Sequence, residues 1–198
     1  IDKELLRKSW YIPFIKMHYP EVYENSRGEF EVYYNELLKF EKFPDRYTKP
    51  TTESDRQDLM KIQTYFKELL TSFVEKNPNR NFFTTFEIES AKAESFANNY
   101  MKIPQGLLVR YMKSAAEYDN YAMPNFSFQI SKQTDYYHQF LMNAYYNAYM
   151  SRANYLMNFL KYDEAEALIN KAAEVNPAGP EIKLLQNKIK QLKAAPKN

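Results

Sequence analysis

The sequence contains no cysteine, and this absence excludes several kinds of site at once. Disulfides, thiolate metal sites and a cysteine nucleophile all require the thiol group. Glycine is also rare, because Gly28, Gly106 and Gly179 are its only occurrences. Three glycines so widely spaced cannot form a loop that cradles phosphate, so a P-loop and a dinucleotide-binding fingerprint are excluded within these residues.

Histidine and long apolar runs are scarce as well. The two histidines are His18 and His138, and apart from a loose Asp135–His138 spacing neither has a second metal ligand nearby in sequence. We therefore expect no metal site and no cofactor. No stretch approaches the ~18 apolar residues of a membrane-spanning helix, so no span is expected in this chain. A net charge of +2 gives no overall electrostatic footprint for nucleic acid.

What is present is the composition of a folded chain. Of 198 residues, 44% are hydrophobic and 26% are charged, which is enough for one domain or for a domain with an appendage. The chain begins with IDKELLRKSW, without an initiator Met or a signal peptide, so we expect it to be part of a larger protein. The lack of cysteine is compatible with an extracytoplasmic, periplasmic location, with a cytoplasmic one as the alternative. The oligomeric state is left open.

The first part of the chain, residues 1–130, is predicted to be a helical or α/β domain. Asp2 is expected to cap a first helix that Pro13 kinks or ends. Ser26 and Glu29 have the spacing of a capping box at the start of a second helix. Apolar residues at helical spacing predict a third helix over 59–73.

A change of pattern follows this third helix. The aromatic and β-branched stretch NFFTTF at 81–86 predicts a strand, and LLVRY at 107–111 predicts another. The residues between them, 87–100, have a helical pattern. Strand, helix and strand at this length predict a βαβ unit with a small parallel β element.

The last part of the chain, residues 131–198, is predicted to be a tetratricopeptide-like helical hairpin with a C-terminal capping helix. Helices are expected over 134–160, 163–175 and 181–193. The repeat pattern is matched by Tyr149, Ala153, Leu156, Tyr162, Ala165, Ile169, Ala172 and Pro177. Small side chains at three of these positions allow two helices to approach closely. Arg152 departs from the leucine usual at its position. The fold class predicted for the whole chain is mainly α with a small parallel β element.

A stripe of amide side chains is the candidate binding site. Asn143, Asn147, Ser151, Asn154 and Asn158 fall within an arc of about 80° on the helix 134–160. Asparagine can both donate to and accept from the backbone of an extended peptide. The alternative is that these residues form an ordinary solvated face in a chain rich in asparagine.

No arrangement of residues indicates catalysis. Carboxylates are plentiful, but no pair stands out as an acid–base couple, so no catalytic residue is assigned. Adjacent tyrosines at 33–34, 136–137 and 145–146 could stack on sugars. Neighbouring residues on a helix point in different directions, however, so one ring of each pair is expected to face the core.

Three phrases carry a family resemblance: IDKELLRKSWYI at 1–12, NFFTTFEIE at 81–89 and KIPQGLLVRY at 102–111. In this order they resemble the C-terminal soluble region of multi-spanning membrane proteins of the protein O-mannosyltransferase-like type, common in Bacteroidetes. The resemblance implies a parent whose membrane helices and glycosyl-transfer chemistry lie upstream. It implies no catalytic residue in this chain.

These observations predict a non-catalytic, extracytoplasmic interaction module of a larger membrane protein. It would bind a peptide or protein partner through the helix 134–160, and no nucleic acid. The alternative is a part of a membrane glycosyltransferase that contacts its substrate or a glycan.

Overall fold

The computed structural model describes residues 1–86, 96–113, 118–127 and 135–194. The fold is mainly helical, as predicted. Contacts divide the chain into unit 1, formed by Ile1–Phe82 with Ala93–Asn98, and unit 2, formed by Phe83–Lys92 with Asn99–Asn198. The predicted domain boundary between residues 130 and 131 lies outside the described residues, as does most of the helix predicted over 87–100.

Unit 1 is built from helices that follow one another closely. A 3-10 turn at Leu5–Arg7 precedes α1 (Tyr11–His18), α2 (Pro20–Asn25), α3 (Arg27–Lys42), α4 (Pro44–Thr48) and α5 (Glu53–Glu75). Helices α3 and α5 pack through aromatic pairs, with ring centroids 5.5 Å apart for Phe30–Phe73 and 5.3 Å apart for Tyr33–Phe66. All four rings are buried, and large rings of this kind contribute strongly to the packing of two helices.

The start of the chain differs in part from the prediction. The Asp2 carboxylate accepts from the backbone N–H of Leu5 at 2.9 Å, so Asp2 is a cap as expected. The turn that it caps is short, however, and α1 begins only at Tyr11. Pro13 occupies the first turn of α1 and neither kinks nor ends the helix. A proline is tolerated there because the missing N–H would have had no intrahelical partner.

The predicted capping box at Ser26 is wrong. The Ser26 hydroxyl makes no capping hydrogen bond, and its backbone at φ −112°, ψ 24° lies outside the extended region that an N-cap requires. Glu29 instead accepts from the Lys76 ammonium at 2.6 Å. The capping box of unit 1 is at Thr52 and Asp55, where each side chain accepts from the other residue's backbone N–H at 3.1 Å.

The sheet of unit 2 is antiparallel, so the prediction of a parallel element is wrong. It contains β1 (Phe82–Thr85), β2 (Met101–Gln105) and β3 (Leu108–Met112) in the order β1-β3-β2. The two predicted strands, β1 and β3, are present and adjacent. The strand β2 was not predicted, and it pairs with β3 from Met101 opposite Met112 to Gln105 opposite Leu108.

A tight turn explains why β2 and β3 run in opposite directions. Gly106 has φ +63°, a left-handed conformation that only glycine adopts without strain, and it begins a two-residue hairpin loop. The sequence of β2 did not predict a strand, because Lys102, Pro104 and Gln105 are poor strand formers. Pro104 is tolerated because β2 is an edge strand, where a missing N–H need not break a ladder.

The C-terminal helices form the predicted hairpin and third helix. These are α6 (Tyr136–Asn158), α7 (Tyr162–Val175) and α8 (Ile182–Ala194). Ala153, Ala165 and Ala172 are completely buried in the shared core, together with Ile169 and Ile189. Small side chains therefore lie where the helices approach each other, as predicted.

Two backbone features fix the connections between these helices. Leu160 adopts φ 60° and ends α6 in a Schellman motif, with its N–H bonded to the Met157 carbonyl at 3.1 Å and the Lys161 N–H bonded to the Leu156 carbonyl at 3.0 Å. Gly179 lies against the Tyr146 ring, and a Cβ added there would come within 2.6 Å of it. Only glycine allows this approach between the α7–α8 connection and α6.

Candidate functional site

The predicted amide stripe lies on α6 and faces solvent. Four of its side chains are exposed and Ser151 is partly buried; the exposed ones are Asn143, Asn147, Asn154 and Asn158. Among the described residues none of the five makes a side-chain hydrogen bond. Their donors and acceptors are therefore available to another molecule.

From residue 146 to 157 the rest of α6 is buried on two sides, whereas most side chains of its first two turns, Tyr137 and Leu141 among them, are exposed. One side packs against α7 and α8 through Tyr149, Ala153 and Leu156. The other side carries Ala148 and Arg152, which are almost completely buried although they lie outside that core. Over residues 146–157 the amide stripe is consequently the exposed face of α6, since a helix has about 3.6 residues per turn and both remaining faces are covered there.

Exposed aromatic rings continue the stripe toward the start of α6. Tyr136 and Phe140 precede Asn143 at the same spacing of three or four residues, so they share its face. Tyr136 is 75% exposed and Phe140 44%, and their rings stack with centroids 6.5 Å apart. The complete face, which we call the α6 face, thus combines two aromatic rings with four amides and one hydroxyl.

Behind the α6 face lies a buried arginine, at the position where the repeat pattern usually has leucine. Arg152 is 1% exposed. Its guanidinium donates to the carbonyls of Asp119 and Tyr121, each at 2.7 Å, and to the carbonyl of Pro104 at 3.2 Å. It also stacks on the Tyr155 ring, 4.7 Å from the centroid. A planar cation with five donors is suited to gathering several carbonyls in this way.

The carboxylate of Asp119 completes this buried cluster. It lies 3.7 Å from the Arg152 guanidinium and accepts from the Gln105 side-chain amide at 2.6 Å and from the Tyr121 backbone N–H at 2.9 Å. Its own backbone N–H donates to the Tyr155 hydroxyl at 2.8 Å. The cluster therefore joins α6, strand β2 and the segment 118–121. The donors and acceptors of the cluster pair with one another, as they do in a network that stabilises the fold.

The sequence contained a signal for this cluster. Arg152 stands between small and aromatic residues of α6 whose spacing predicts burial, and a charge in such a position requires a buried partner. Its acceptors could not be identified from the sequence, because Pro104 and Asp119 are distant in the chain and all three hydrogen bonds are to backbone carbonyls.

The remaining candidate residues are the tyrosine pairs, the C-terminal lysines and the potential metal ligands. Of the tyrosine pairs, 33–34 and 145–146 each have one buried and one partly buried member, whereas Tyr136 and Tyr137 are both exposed. Near the C-terminus the Lys193 ammonium bonds to the carboxylates of Asp163 and Glu166, each at 2.6 Å, and so ties α8 to α7. Among the described residues, no group of three or more potential ligands could hold a metal ion.

Comparison with known proteins identifies no relative. No protein-family model, curated protein or solved structure matches the chain. Over the described part of the chain, no helix combines the length and the apolar character required to cross a bilayer.

Proposed function

We propose that this protein is a non-catalytic interaction module that binds an extended peptide segment of a protein partner along the α6 face. The observation that carries the proposal is the composition of that face, on which Tyr136 and Phe140 lead into a line of unbonded amides. Peptide backbones present alternating donors and acceptors, and each asparagine amide can pair with both. The two rings would hold an apolar side chain at one end of the peptide.

The architecture of α6 supports this use. A binding helix must keep its shape when its free face is occupied, and α6 is held by packing on one side and by the Arg152 cluster on another. A site on such a rigid element loses little conformational entropy on binding. The hairpin with its buried alanines also supports the tetratricopeptide-like interpretation, which remains part of the proposal.

Replacing Asn147 and Asn154 together by alanine tests the proposal. Peptides selected from a random display library on the immobilised full chain are resynthesised, and their affinities are measured by fluorescence polarisation. We expect the double variant to bind the selected peptides about tenfold more weakly or worse, because each lost hydrogen bond is worth about 0.5–1.5 kcal/mol. Asn35→Ala, an exposed asparagine on α3, is the control and should leave the affinities unchanged.

Thermal unfolding separates lost binding from lost structure. Both substitutions replace an exposed helical asparagine by a better helix former, so neither should lower the midpoint. Equal affinity for the wild-type chain and the Asn147→Ala/Asn154→Ala variant would contradict the proposal, as would a selection that yields no binding peptide.

One observation favours a second candidate, contact with a glycan. Tyr136 and Tyr137 are each 75% exposed, although a pair of neighbours on a helix was expected to turn one ring inward. Exposed aromatic rings can stack on the apolar faces of sugars. Saturable binding on a glycan array, lost in Tyr136→Ala/Tyr137→Ala, would favour a glycan-contacting part of a membrane glycosyltransferase over the peptide module.

The cellular location of the module and its parent protein are part of the same proposal. The resemblance of residues 1–12, 81–89 and 102–111 to the soluble region of protein O-mannosyltransferase-like membrane proteins supports a periplasmic location within a larger parent. The reading frame upstream of Ile1 tests it directly. Several apolar stretches of spanning length there would support a membrane parent, and their absence would oppose it.

A further inference from the structure

Unit 1 contains a cleft that the proposed peptide-binding function does not use. Its volume is about 320 Å³, at the small end of the range of small-molecule sites. The apolar part of its wall comes from α3 and α5, through Leu37, Phe40, Leu59, Ile62 and Phe66. A cleft of this size and composition suits one short hydrocarbon chain or a single aromatic ring.

The charged groups found in the cleft are cations, and its other polar groups come from Thr48, Gln63 and two tyrosines. Arg7 and Lys67 line it, and none of the acidic residues that the structure describes does. The Arg7 guanidinium lies 4.5 Å above the Phe66 ring, so the cation is held against the cleft wall by a cation–π contact. Glu4, 3.6 Å from the guanidinium, is 77% exposed, and its pairing with Arg7 is therefore of the weak surface kind.

Two buried phenols also line the cleft. Tyr33 is 2% exposed and Tyr47 is 4% exposed. Neither hydroxyl has a hydrogen-bond partner among the residues that the structure describes, yet neither is sealed from solvent. Burial raises the pKa of Tyr33, and Arg7 acts against that rise, which indicates that the phenol and the guanidinium are close. Buried hydroxyls without protein partners are normally satisfied by something else in the site.

We propose that this cleft binds a small amphipathic carboxylate of the medium-chain fatty acid class. The carboxylate would lie between Arg7 and Lys67 and accept from the Tyr33 hydroxyl, and the hydrocarbon chain would lie among Leu37, Leu59 and Ile62. The two cations, the Tyr33 phenol and the apolar wall of the cleft then each have a role. Cations and a phenol satisfy the charged head, and the apolar walls exclude water from the chain.

Calorimetric titration of the full chain with three probes tests the proposal. Decanoate, decanamide and decylammonium, all below their aggregation concentrations, share a hydrocarbon chain and differ in the charge of the head. We expect decanoate to bind saturably with one site and to raise the thermal midpoint, decanamide to bind about tenfold more weakly, and decylammonium not to bind. Absence of decanoate binding would overturn the proposal, and so would equal binding of all three probes.

Variants then locate the site. Arg7→Gln/Lys67→Gln should lower the affinity for decanoate about tenfold or more, so that decanoate no longer binds more tightly than decanamide. Arg27→Gln/Lys42→Gln is the matched control, because it removes the same charge from exposed positions of α3 that do not line the cleft. Undiminished decanoate binding by the first variant would refute the assignment of the head group.

Filling the cleft provides an independent measurement. Ile62→Trp places a large ring among the apolar residues and should abolish binding of decanoate and decanamide alike. Circular dichroism shows whether this variant folds, and the Arg7→Gln/Lys67→Gln result stands if it does not. Retained binding by a folded Ile62→Trp chain would place the ligand elsewhere and overturn the proposal.

Discussion

Replacing Arg152 by methionine should destabilise unit 2 strongly. Methionine has a similar length and no charge, so it fills the space but donates to none of the three carbonyls that Arg152 bonds. It also removes the buried cation of the Asp119 carboxylate, which is 10% exposed and keeps only the more exposed Arg110 guanidinium, at 3.8 Å. Breaking a buried ion pair by removing one partner typically costs about 3–5 kcal/mol. A domain is stable by only about 5–15 kcal/mol, so this loss would be a large part of the total.

Hydrogen exchange measured by mass spectrometry is the assay, because it reports each segment separately. Peptides covering β2 and β3 should lose protection first, since the Pro104 carbonyl of β2 loses its guanidinium donor. Arg56→Met is the control: Arg56 is exposed on α5 and pairs with Glu53 at 3.3 Å, so its removal should change stability by less than about 0.5 kcal/mol.

A double-substitution cycle isolates the contribution of the Asp119 carboxylate. Arg152→Met combined with Asp119→Asn should cost less than the sum of the single losses, because the second change removes a charge that has lost its buried partner and keeps only Arg110. If Arg152→Met retained wild-type protection in β2 and β3, the cluster would not hold these elements together and the reasoning would be refuted.

Two further predictions concern the backbone and the response to acid. Leu160→Gly should stabilise the chain by about 1 kcal/mol in urea unfolding because it relieves a left-handed residue that is 72% exposed, whereas Leu184→Gly, at an exposed position inside α8, should destabilise it by a similar amount. The Arg46 guanidinium, which donates to the Asp55 carboxylate at 2.9 Å, holds the pKa of Asp55 well below its usual range. The ionised carboxylate therefore contributes stability above the unfolded pKa of about 3.9, and this contribution is lost as the pH falls toward the folded value. The difference in unfolding midpoint between wild type and Asp55→Asn should accordingly shrink as the pH falls below about 4, and a difference independent of pH would contradict the pairing.

The helical elements were the most predictable part of the fold. In α7 and α8 the apolar residues recur at helical spacing, and Ala165, Ile169 and Ala172 mark the face that is buried. Local pattern determines such elements because each helix bonds within itself. The order and direction of strands depend instead on contacts between distant residues. The pattern therefore located β1 and β3, but it could not show that Gly106 reverses the chain between β3 and an unpredicted partner.

The candidate sites also differ in how far local sequence pattern could predict them. The spacing of the asparagines was sufficient to place them on one face of α6, and the structure adds that the other faces are covered over residues 146–157. The burial of Arg152 could be inferred from the sequence, but its acceptors could not, because they are backbone carbonyls, which any residue provides. The cleft of unit 1 depends on the packing of α3 against α5 and on the position of Arg7, and none of these has a periodic signature.

The Arg152 contacts also impose an order on the folding of unit 2. The hairpin of α6 and α7 closes through a three-residue turn, so it can form rapidly from local contacts. The guanidinium, in contrast, meets the Pro104 carbonyl across 48 residues and the Asp119 carbonyl across 33. Closing loops of that length costs conformational entropy of the chain before the stabilising hydrogen bonds can form. We therefore expect the hairpin to present a preformed cation around which β2 and the segment 118–121 assemble last.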